Sequence, residues 1–577
     1  MFSSGEWRER EFDRRIADAI RGVLPPSFPG SLAGVLASRG VTAESLSEFI
    51  APDLKSLPPP STLPGAVECA NVILDAVERK RKIVVYGDYD ADGVCATAIM
   101  TRALDALGAE SCGFIPRRHG EGYGLTAPSM KRLFKEHPDV GLLVTVDNGV
   151  NAVAEIAAIK AHGVPVVVTD HHLPGSEVPV ADAMAEPMVS APPELKNLCG
   201  AGVAFYVAQE LVCQAKRRGL YPEDGPKIAG PLMILAGVAT VTDVMPLIGA
   251  NRTLVSAALK YFRHTAPIGL KSLFIADGQK PMDRLNARDF GFFIGPRLNA
   301  AGRMALGQTA YELVSTNELE ESRLLAVKLK DYNAERRSIE ERMANEAFAQ
   351  IAEGAGAQVV SDSGLAKEWH PGVAGIVASR VLESAAVPVA VIVGRYGSAR
   401  APEGYNVRDA LAQCEPFLER FGGHAAAAGF TVKEGMLSDF ADAFRAACSS
   451  QGSTVPAPSV TFDGWIEGRD VTLEFCEAVA KMEPFGEGNP EPVFGIRNVA
   501  LRDVRAFGDE SRHISFLFAD RSIPRAVWWG HGDLAEKIRA KAGCRFDFLV
   551  KVKVSDFGYE PHPELTVEDM RVSGTAM

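Results

Sequence analysis

The sequence predicts an α/β protein: a parallel sheet with helices on both faces, a long connecting helix, a second α/β unit and a small C-terminal β-barrel. Three observations carry this. From Lys82 onward, short buried-strand runs alternate with segments of helical apolar spacing. A charged segment with regularly spaced Leu, Ile and Met runs from Asn317 to Ala355. In the tail, aromatic and β-branched residues alternate with charges, as small barrels require. A chain of 577 residues exceeds one hydrophobic core. At roughly 100–200 residues per domain, about three to five units are expected.

Residues 1 to about 65 read as short helices ending in a breaker, Leu57-Pro58-Pro59-Pro60. Lys82 to Tyr86 is a β-branched strand run, and Val94 to Leu107 is apolar at helical spacing. Leu142 to Val146 and Pro165 to Thr169 are further buried strands, with the alanine-rich Ala152 to Ala161 helix between them. In such sheets the loops at the carboxyl ends of strands gather the ligand site. The Asn317 to Ala355 segment reads as a helix joining two globular halves. A second α/β unit follows over 356–450, with Val387 to Val393 as one strand. The barrel takes 455–577, where adjacent Trp528 and Trp529 should face opposite sides of a strand.

Composition narrows the function classes. A chain 47% hydrophobic and 23% charged is too apolar for disorder. Its most apolar long window, Pro231 to Gly249, carries Asp243, so no membrane span is expected. The first fifteen residues alternate acids and arginines and lack an apolar signal core. Nine scattered cysteines without C-x-x-C argue against a zinc site or a disulfide framework, and point to a reducing cytoplasm. The net charge of −12 argues against a generally basic nucleic-acid coat, though not against a local basic groove.

Four acidic motifs stand after the apolar runs, each read as following a strand: Asp88-Tyr89-Asp90-Ala91-Asp92-Gly93, Asp147-Asn148-Gly149, Asp170-His171-His172, and Asp243-Val244. Carboxylates converging from several strand ends repel one another unless cations intervene. Hard oxygen donors with an imidazole suit Mg²⁺ or Mn²⁺. Two such ions, about 3.5–4 Å apart, would clamp a phosphoryl group for in-line attack. Blander readings exist for each motif alone. Asp88-x-Asp90-x-Asp92-Gly93 opens like a calcium loop, but its twelfth position is Ile99. Asp92 reads as the N-cap of the next helix. Asp147-Asn148-Gly149 reads as a surface turn. Gly422-Gly423 reads as a stop for a helix from Leu411 to Phe421. A lone His171 reads as a core histidine. Their joint occurrence favours metal-dependent phosphoester chemistry.

At Asp170-His171-His172 the chain resembles the DHH phosphoesterases, and among them the RecJ-type single-stranded-DNA-specific exonucleases. The resemblance continues through Gly295-Pro296-Arg297-Leu298-Asn299-Ala300-Ala301-Gly302-Arg303, Trp369-His370-Pro371-Gly372-Val373-Ala374-Gly375, Gly397-Ser398-Ala399-Arg400, Phe421-Gly422-Gly423-His424 and Pro484-Phe485-Gly486-Glu487-Gly488-Asn489-Pro490. It implies a DHH catalytic domain, a DHH-associated domain across a cleft and an oligonucleotide-binding barrel. Together with the pattern above, the expected division is an N-terminal helical segment (1–65), the catalytic domain (66–250), the rest of that core with the connecting helix (251–355), the DHH-associated domain (356–450) and the barrel (455–577). The resemblance carries site residues as well. It implies two Mn²⁺ or Mg²⁺ ions on Asp90, Asp92, Asp147, His171 and Asp243, with Asp147 as bridge and Asp88 as an accessory. His172 and Asp170 are the implied catalytic pair. Arg303, Asn299, His370, Ser398, Arg400, Gly422, Gly423 and His424 are the implied substrate contacts. One departure lies after Arg400, where Ala401 stands in place of the serine many relatives keep.

The activity so implied is 5′-to-3′ digestion of single-stranded DNA to mononucleotides, in DNA repair and recombination. A single-strand-binding protein and a helicase are the implied partners. Arg117, Arg118 and Tyr123 read either as a lining of the DNA path or as a solvated loop. Two other functions stand beside the first: a phosphodiesterase of short RNA or cyclic dinucleotides, and a catalytically silent DNA-binding scaffold. The complete carboxylate set argues against the scaffold, and the extra barrel argues against small substrates.

Overall fold

The structure is a computed structural model that describes residues 5–118, 120–222, 227–278, 282, 284–452, 459–541, 543–555 and 560–574. The first sheet has five parallel strands in the order Ser111–Phe114, Lys82–Tyr86, Val140–Val146, Val166–Thr169, Ala183–Ala185. Side chains alternate across it as a strand's pleat dictates. Ile83 and Val85 join a core with helices Ala66–Glu78, Ala91–Asp105, Gly200–Arg217 and Ala229–Thr242. Val84 and Tyr86 face the opposite way, toward helices Ala127–Glu136 and Val153–Ala161. Burial on both faces explains the near-continuous Val, Ile and Leu of these strands. Strand Lys82–Tyr86 lies between two later strands, so chain progression reverses there. Its carboxyl end is therefore the switch point where ligands bind in open sheets.

Helix Leu319–Phe348 has 30 residues, about 45 Å at 1.5 Å per residue. Its Leu325, Ala326 and Leu329 are buried in the first core, and Met343 and Ala347 in a second one. The expected connecting helix is thus a shared wall of both halves. The second sheet runs Leu418–Gly423, Ala427–Val432, Tyr396–Arg400, Val389–Val393, Gln358–Ser361. Only its last two strands are parallel.

The barrel closes through Phe494–Phe507, His513–Phe518, Ala526–Trp528, His562–Val572 and Arg545–Ser555, which returns to pair with Phe494–Phe507. Phe494, Phe516, Phe546 and Phe548 fill it, and helix Leu473–Ala480 packs against this core. The N-terminal helices contribute Ala17, Ile20, Leu32 and Leu36 to the same core. One N-terminal element differs from the expected run of helices: Glu6–Glu9 is a strand, parallel to Ser459–Phe462. The expected barrel start at 455 falls outside the described residues. Among the described residues no helix is long and apolar enough to cross a membrane.

Candidate active site

The acidic loop after Lys82–Tyr86 is folded by its own carboxylates. Asp90, not Asp92, is the N-cap of helix Ala91–Asp105, and its Oδ1 accepts the Gly93 N–H at 3.0 Å. Asp92 sits in the first turn, where it accepts the backbone N–H groups of Gly200 (2.8 Å) and Ala201 (2.7 Å). The positive end of helix Gly200–Arg217 therefore holds Asp92. Asp147 occupies the left-handed region at φ 60, next to Gly200, where a Cβ would lie 2.4 Å from Asp147 Cβ. Asp147, Asn148 and Gly149 are all buried, so the surface-turn reading fails. Asp243 follows a helix, Ala229–Thr242, rather than a strand, and is that helix's C-cap.

These groups converge. His171 Nε2 lies 3.1 Å from Asp147 Oδ1 and 3.7 Å from both Asp92 Oδ2 and Asp243 Oδ2. Asp92, His171 and Asp243 form one set whose ligand atoms lie within 4.8 Å of one another; Asp88, Asp90 and Asp147 form another, and Asp147, His171 and His172 a third. Asp88 Oδ1 and Asp147 Oδ1 are buried without a hydrogen-bond donor. Burial, then mutual repulsion, pushes the Asp88, Asp90 and Asp147 carboxyls up, and Asp243 to about 8. Burial lowers His171, which favours the neutral imidazole a metal needs. Orphaned hard oxygens beside a neutral imidazole fit divalent cations.

Asp170 has a different task. Its Oδ2 accepts the Val150 N–H at 2.9 Å, and its Oδ1 lies 2.8 Å from His172 Nδ1. Burial opposes its charge, yet the His172 bond keeps Asp170 below the usual carboxylate range. His172 Nε2 faces the Tyr123 hydroxyl at 2.8 Å. Asp170 thus fixes the ring whose other nitrogen points into the site.

The opposite wall joins both halves. Asn299 Oδ1 accepts the Ala91 N–H at 2.7 Å, so helix Gly295–Met304 braces the acidic loop. Arg303 donates to the Gly372 carbonyl at 3.1 Å, and His370 Nδ1 accepts the Gly372 N–H at 3.1 Å. Ser398 and Arg400 share one face of strand Tyr396–Arg400; Arg400 Nη1 is 3.2 Å from Ser398 Oγ. Gly375 keeps space open beside them, since a Cβ there would meet Arg400 Nη2 at 3.1 Å. Gly422 and Ser398 both lie opposite Gly429 in the sheet, which brings the Gly422-Gly423-His424 tip near Arg400. Those glycines end a strand, Leu418–Gly423, so they are not a helix stop.

Arg118 stacks over Tyr89 at 5.2 Å, and its charge contributes to lowering both Arg303, to about 10, and Arg400, although burial is the larger cause in each. Among the described residues none of these three guanidiniums has a carboxylate ion-pair partner. Arg118 and Arg303 lie close enough to the acidic loop for their charges to act on Asp88 and Asp90, and Arg118 also acts on Arg400, so positive charge borders the carboxylate cluster. The structure thus brings Arg118 and Tyr123 to the site. Arg117 is exposed, and His119 lies outside the described residues. Sequence reading missed Tyr89 and the Gly200–Ala201 amides; the small-residue run Cys199-Gly200-Ala201-Gly202 was the available signal.

Three family models match in order: DHH family, N-terminal domain, over residues 82–235; the DHHA1 domain over 355–450; and the RecJ OB domain over 462–569. The single-stranded-DNA-specific exonuclease RecJ of Dickeya dadantii is 35% identical over 514 residues, covering 86% of this chain and 87% of the relative. The chain belongs to the RecJ exonuclease family. The RecJ of Bacillus subtilis is 32% identical over 94% of this chain and 68% of its own length. A crystal structure of RecJ in complex with Mn²⁺ from Thermus thermophilus matches with a TM-score of 0.82 at 31% identity, covering 98% of this chain and 79% of that one. The expected catalytic sheet, DHH-associated unit and oligonucleotide-binding barrel are those of this family.

Proposed function

We propose that this chain is a single-stranded-DNA-specific exonuclease that hydrolyses phosphodiester bonds from a 5′ end with two divalent cations, Mn²⁺ or Mg²⁺. The observation that carries the reading is the buried carboxylate and imidazole cluster at the sheet's switch point, bordered by Arg118, Arg303 and Arg400, which form no ion pair among the described residues. Asp92, Asp147, His171 and Asp243 would hold one ion; Asp88, Asp90 and Asp147 would hold the other. Bound there, the ions supply Lewis-acid charge and make water a competent nucleophile at neutral pH.

The chain's own groups do the rest. Asp170 holds His172 by Nδ1, so Nε2 is the atom offered to a phosphate oxygen. Arg303 and Asn299 tie the acidic loop to the second half, which fixes the cleft's width. Ser398 and Arg400, with the Gly422-Gly423-His424 tip alongside, receive the 5′ end. In the barrel, Trp528 is buried while Trp529 is half exposed among Phe507 and His513 and offers a face to a base. The nine free cysteines support a reducing, cytoplasmic setting in repair and recombination, where a helicase and a single-strand-binding protein would deliver substrate.

The test is a substrate panel with purified full chain: end-labelled single-stranded DNA, blunt duplex, short RNA and a cyclic dinucleotide, each with Mn²⁺, Mg²⁺ or EDTA. The reading requires metal-dependent mononucleotide release from single strands, with blunt duplex much slower. Preference for the cyclic dinucleotide would move the assignment to the small-substrate phosphodiesterases; inactivity throughout would leave a scaffold.

A further inference from the structure

Asp243 sits at the open side of the cluster, its side chain 30% exposed against 2% for Asp92 and 3% for Asp147. It ends helix Ala229–Thr242, and the chain closes off with Val244 N–H donating to Val241 O (3.2 Å) and Met245 N–H to Thr240 O (3.1 Å). That pattern favours glycine at the residue after the cap. Here the position is Val244, exposed and at φ 56, where a β-branched side chain is strained. Such a turn persists only when something outside holds it.

The segment just beyond that turn docks on the loop Pro484–Pro490, which leads into the barrel. Glu487 O accepts the Leu247 N–H at 2.8 Å. Gly488, at φ 71, packs so closely that a Cβ would reach Pro246 Cβ at 3.2 Å, and a Cβ on Gly486 would reach Leu247 Cδ1 at 2.8 Å. Asn489, fully buried, donates from Nδ2 to Met482 O and Pro484 O, both at 2.9 Å, which curls the loop. Arg252, on the helix after the Asp243 turn, donates to the carbonyls of Phe49 (2.8 Å), Met482 (3.0 Å), Glu483 (2.8 Å) and Pro484 (3.5 Å), and its guanidinium lies over the Phe49 ring at 3.8 Å. The segment Pro246–Arg252 is thus clamped by the C-terminal part of the chain a few residues beyond Asp243.

We propose that the Pro484–Pro490 loop is a positioning element for Asp243, so that metal affinity at the catalytic cluster depends on this loop being docked. The proposal rests on the two-ion reading above. Gly486, Gly488 and Asn489 act through Pro246 and Leu247 and touch no reacting atom. Because linkage is reciprocal, metal binding must in turn tighten the docked loop.

The test measures Mn²⁺ binding by electron paramagnetic resonance on the metal-stripped full chain, for wild type, Gly488→Ala, Gly486→Ala and the distant left-handed glycine variant Gly435→Ala. Wild type should bind two ions. Gly488→Ala should weaken one of them at least fivefold, with circular dichroism and DNA KM unchanged; Gly486→Ala should act in the same direction, and Gly435→Ala should leave both ions untouched. Unchanged Mn²⁺ affinities in the folded Gly488→Ala and Gly486→Ala chains would overturn the proposal. Should both fail to fold, amide exchange on wild type decides: Mn²⁺ should slow exchange across Met482–Asn489 and not in helix Leu437–Ser450, and no slowing would overturn it. A wild-type chain that binds no Mn²⁺ would refute the two-ion reading itself, a result distinct from either.

Discussion

Arg400→Ala separates recognition of the 5′ end from the chemistry. Among the described residues Arg400 pairs with no carboxylate; its Nη1 contacts are the Ser398 hydroxyl at 3.2 Å and the Ala399 carbonyl at 2.9 Å, and Nη2 faces the space kept by Gly375. Removal therefore strands no buried anion, and it relieves repulsion from Arg118. Stability should change by less than about 1 kcal/mol, as for residues outside a buried network. What is lost is a charge-assisted hydrogen bond to a terminal phosphate, about 1.5–3 kcal/mol. At about 1.4 kcal/mol per decade, kcat/KM on 5′-phosphorylated single strands should fall roughly 10- to 150-fold. Strands with a 5′-hydroxyl lack that contact and should lose less. The assay is steady-state nucleotide release from the two strands of one sequence, with thermal melts in parallel. Equal losses on both strands would place Arg400 at the scissile phosphate or in the fold, and would refute the argument.

Gly200→Ala would drive a Cβ to 2.4 Å from Asp147 Cβ; a displacement of about 1 Å in a catalytic group costs on the order of 100-fold, so kcat should fall by that much while DNA binding holds. Trp529→Ala should weaken binding of long single strands by about 1–3 kcal/mol in a salt titration, the value of one base stack, without altering the melt. Trp528→Ala, which empties a buried site in the barrel, should instead lower stability by about 3–5 kcal/mol in denaturant unfolding. Stripping with chelator should lower Tm, and Mn²⁺ at about 100 times its Kd should restore about 2.7 kcal/mol.

Much of this site is legible in the sequence because its signals are local. An apolar run of four to seven residues ending in Asp, as at Val140–Val146 or Val166–Thr169, marks both a strand and the carboxylate at its tip. Expectation and structure part where periodicity is silent or distant pairing decides. Ala229–Thr242 is buried almost all round, so its last residues resemble a strand, and Asp243 reads as following the wrong kind of element. The predicted helix from Leu411 to Phe421 ends at Gln413 because Pro416 cannot continue it, and the chain turns into a strand. Glu6–Glu9 is a mostly charged tetrapeptide whose strand state comes from a partner at Ser459–Phe462. The arginine trio draws on positions 118, 303 and 400, so only the fold assembles it. The strained Val244 and the clamp on Pro246–Arg252 just beyond it are likewise visible only in three dimensions.

The most direct measurement is the turnover of Asp147→Ala beside wild type, both stripped of metal and then supplied with Mn²⁺, on a 5′-phosphorylated single strand. Asp147 is the carboxylate shared by the two proposed ion sites and lies 3.1 Å from His171. The account predicts that wild type regains mononucleotide release with Mn²⁺ or Mg²⁺, while Asp147→Ala keeps its fold and turns over at least 1,000-fold more slowly, about 4 kcal/mol in the transition state. Near-normal turnover by Asp147→Ala, or full wild-type activity in EDTA, would contradict it.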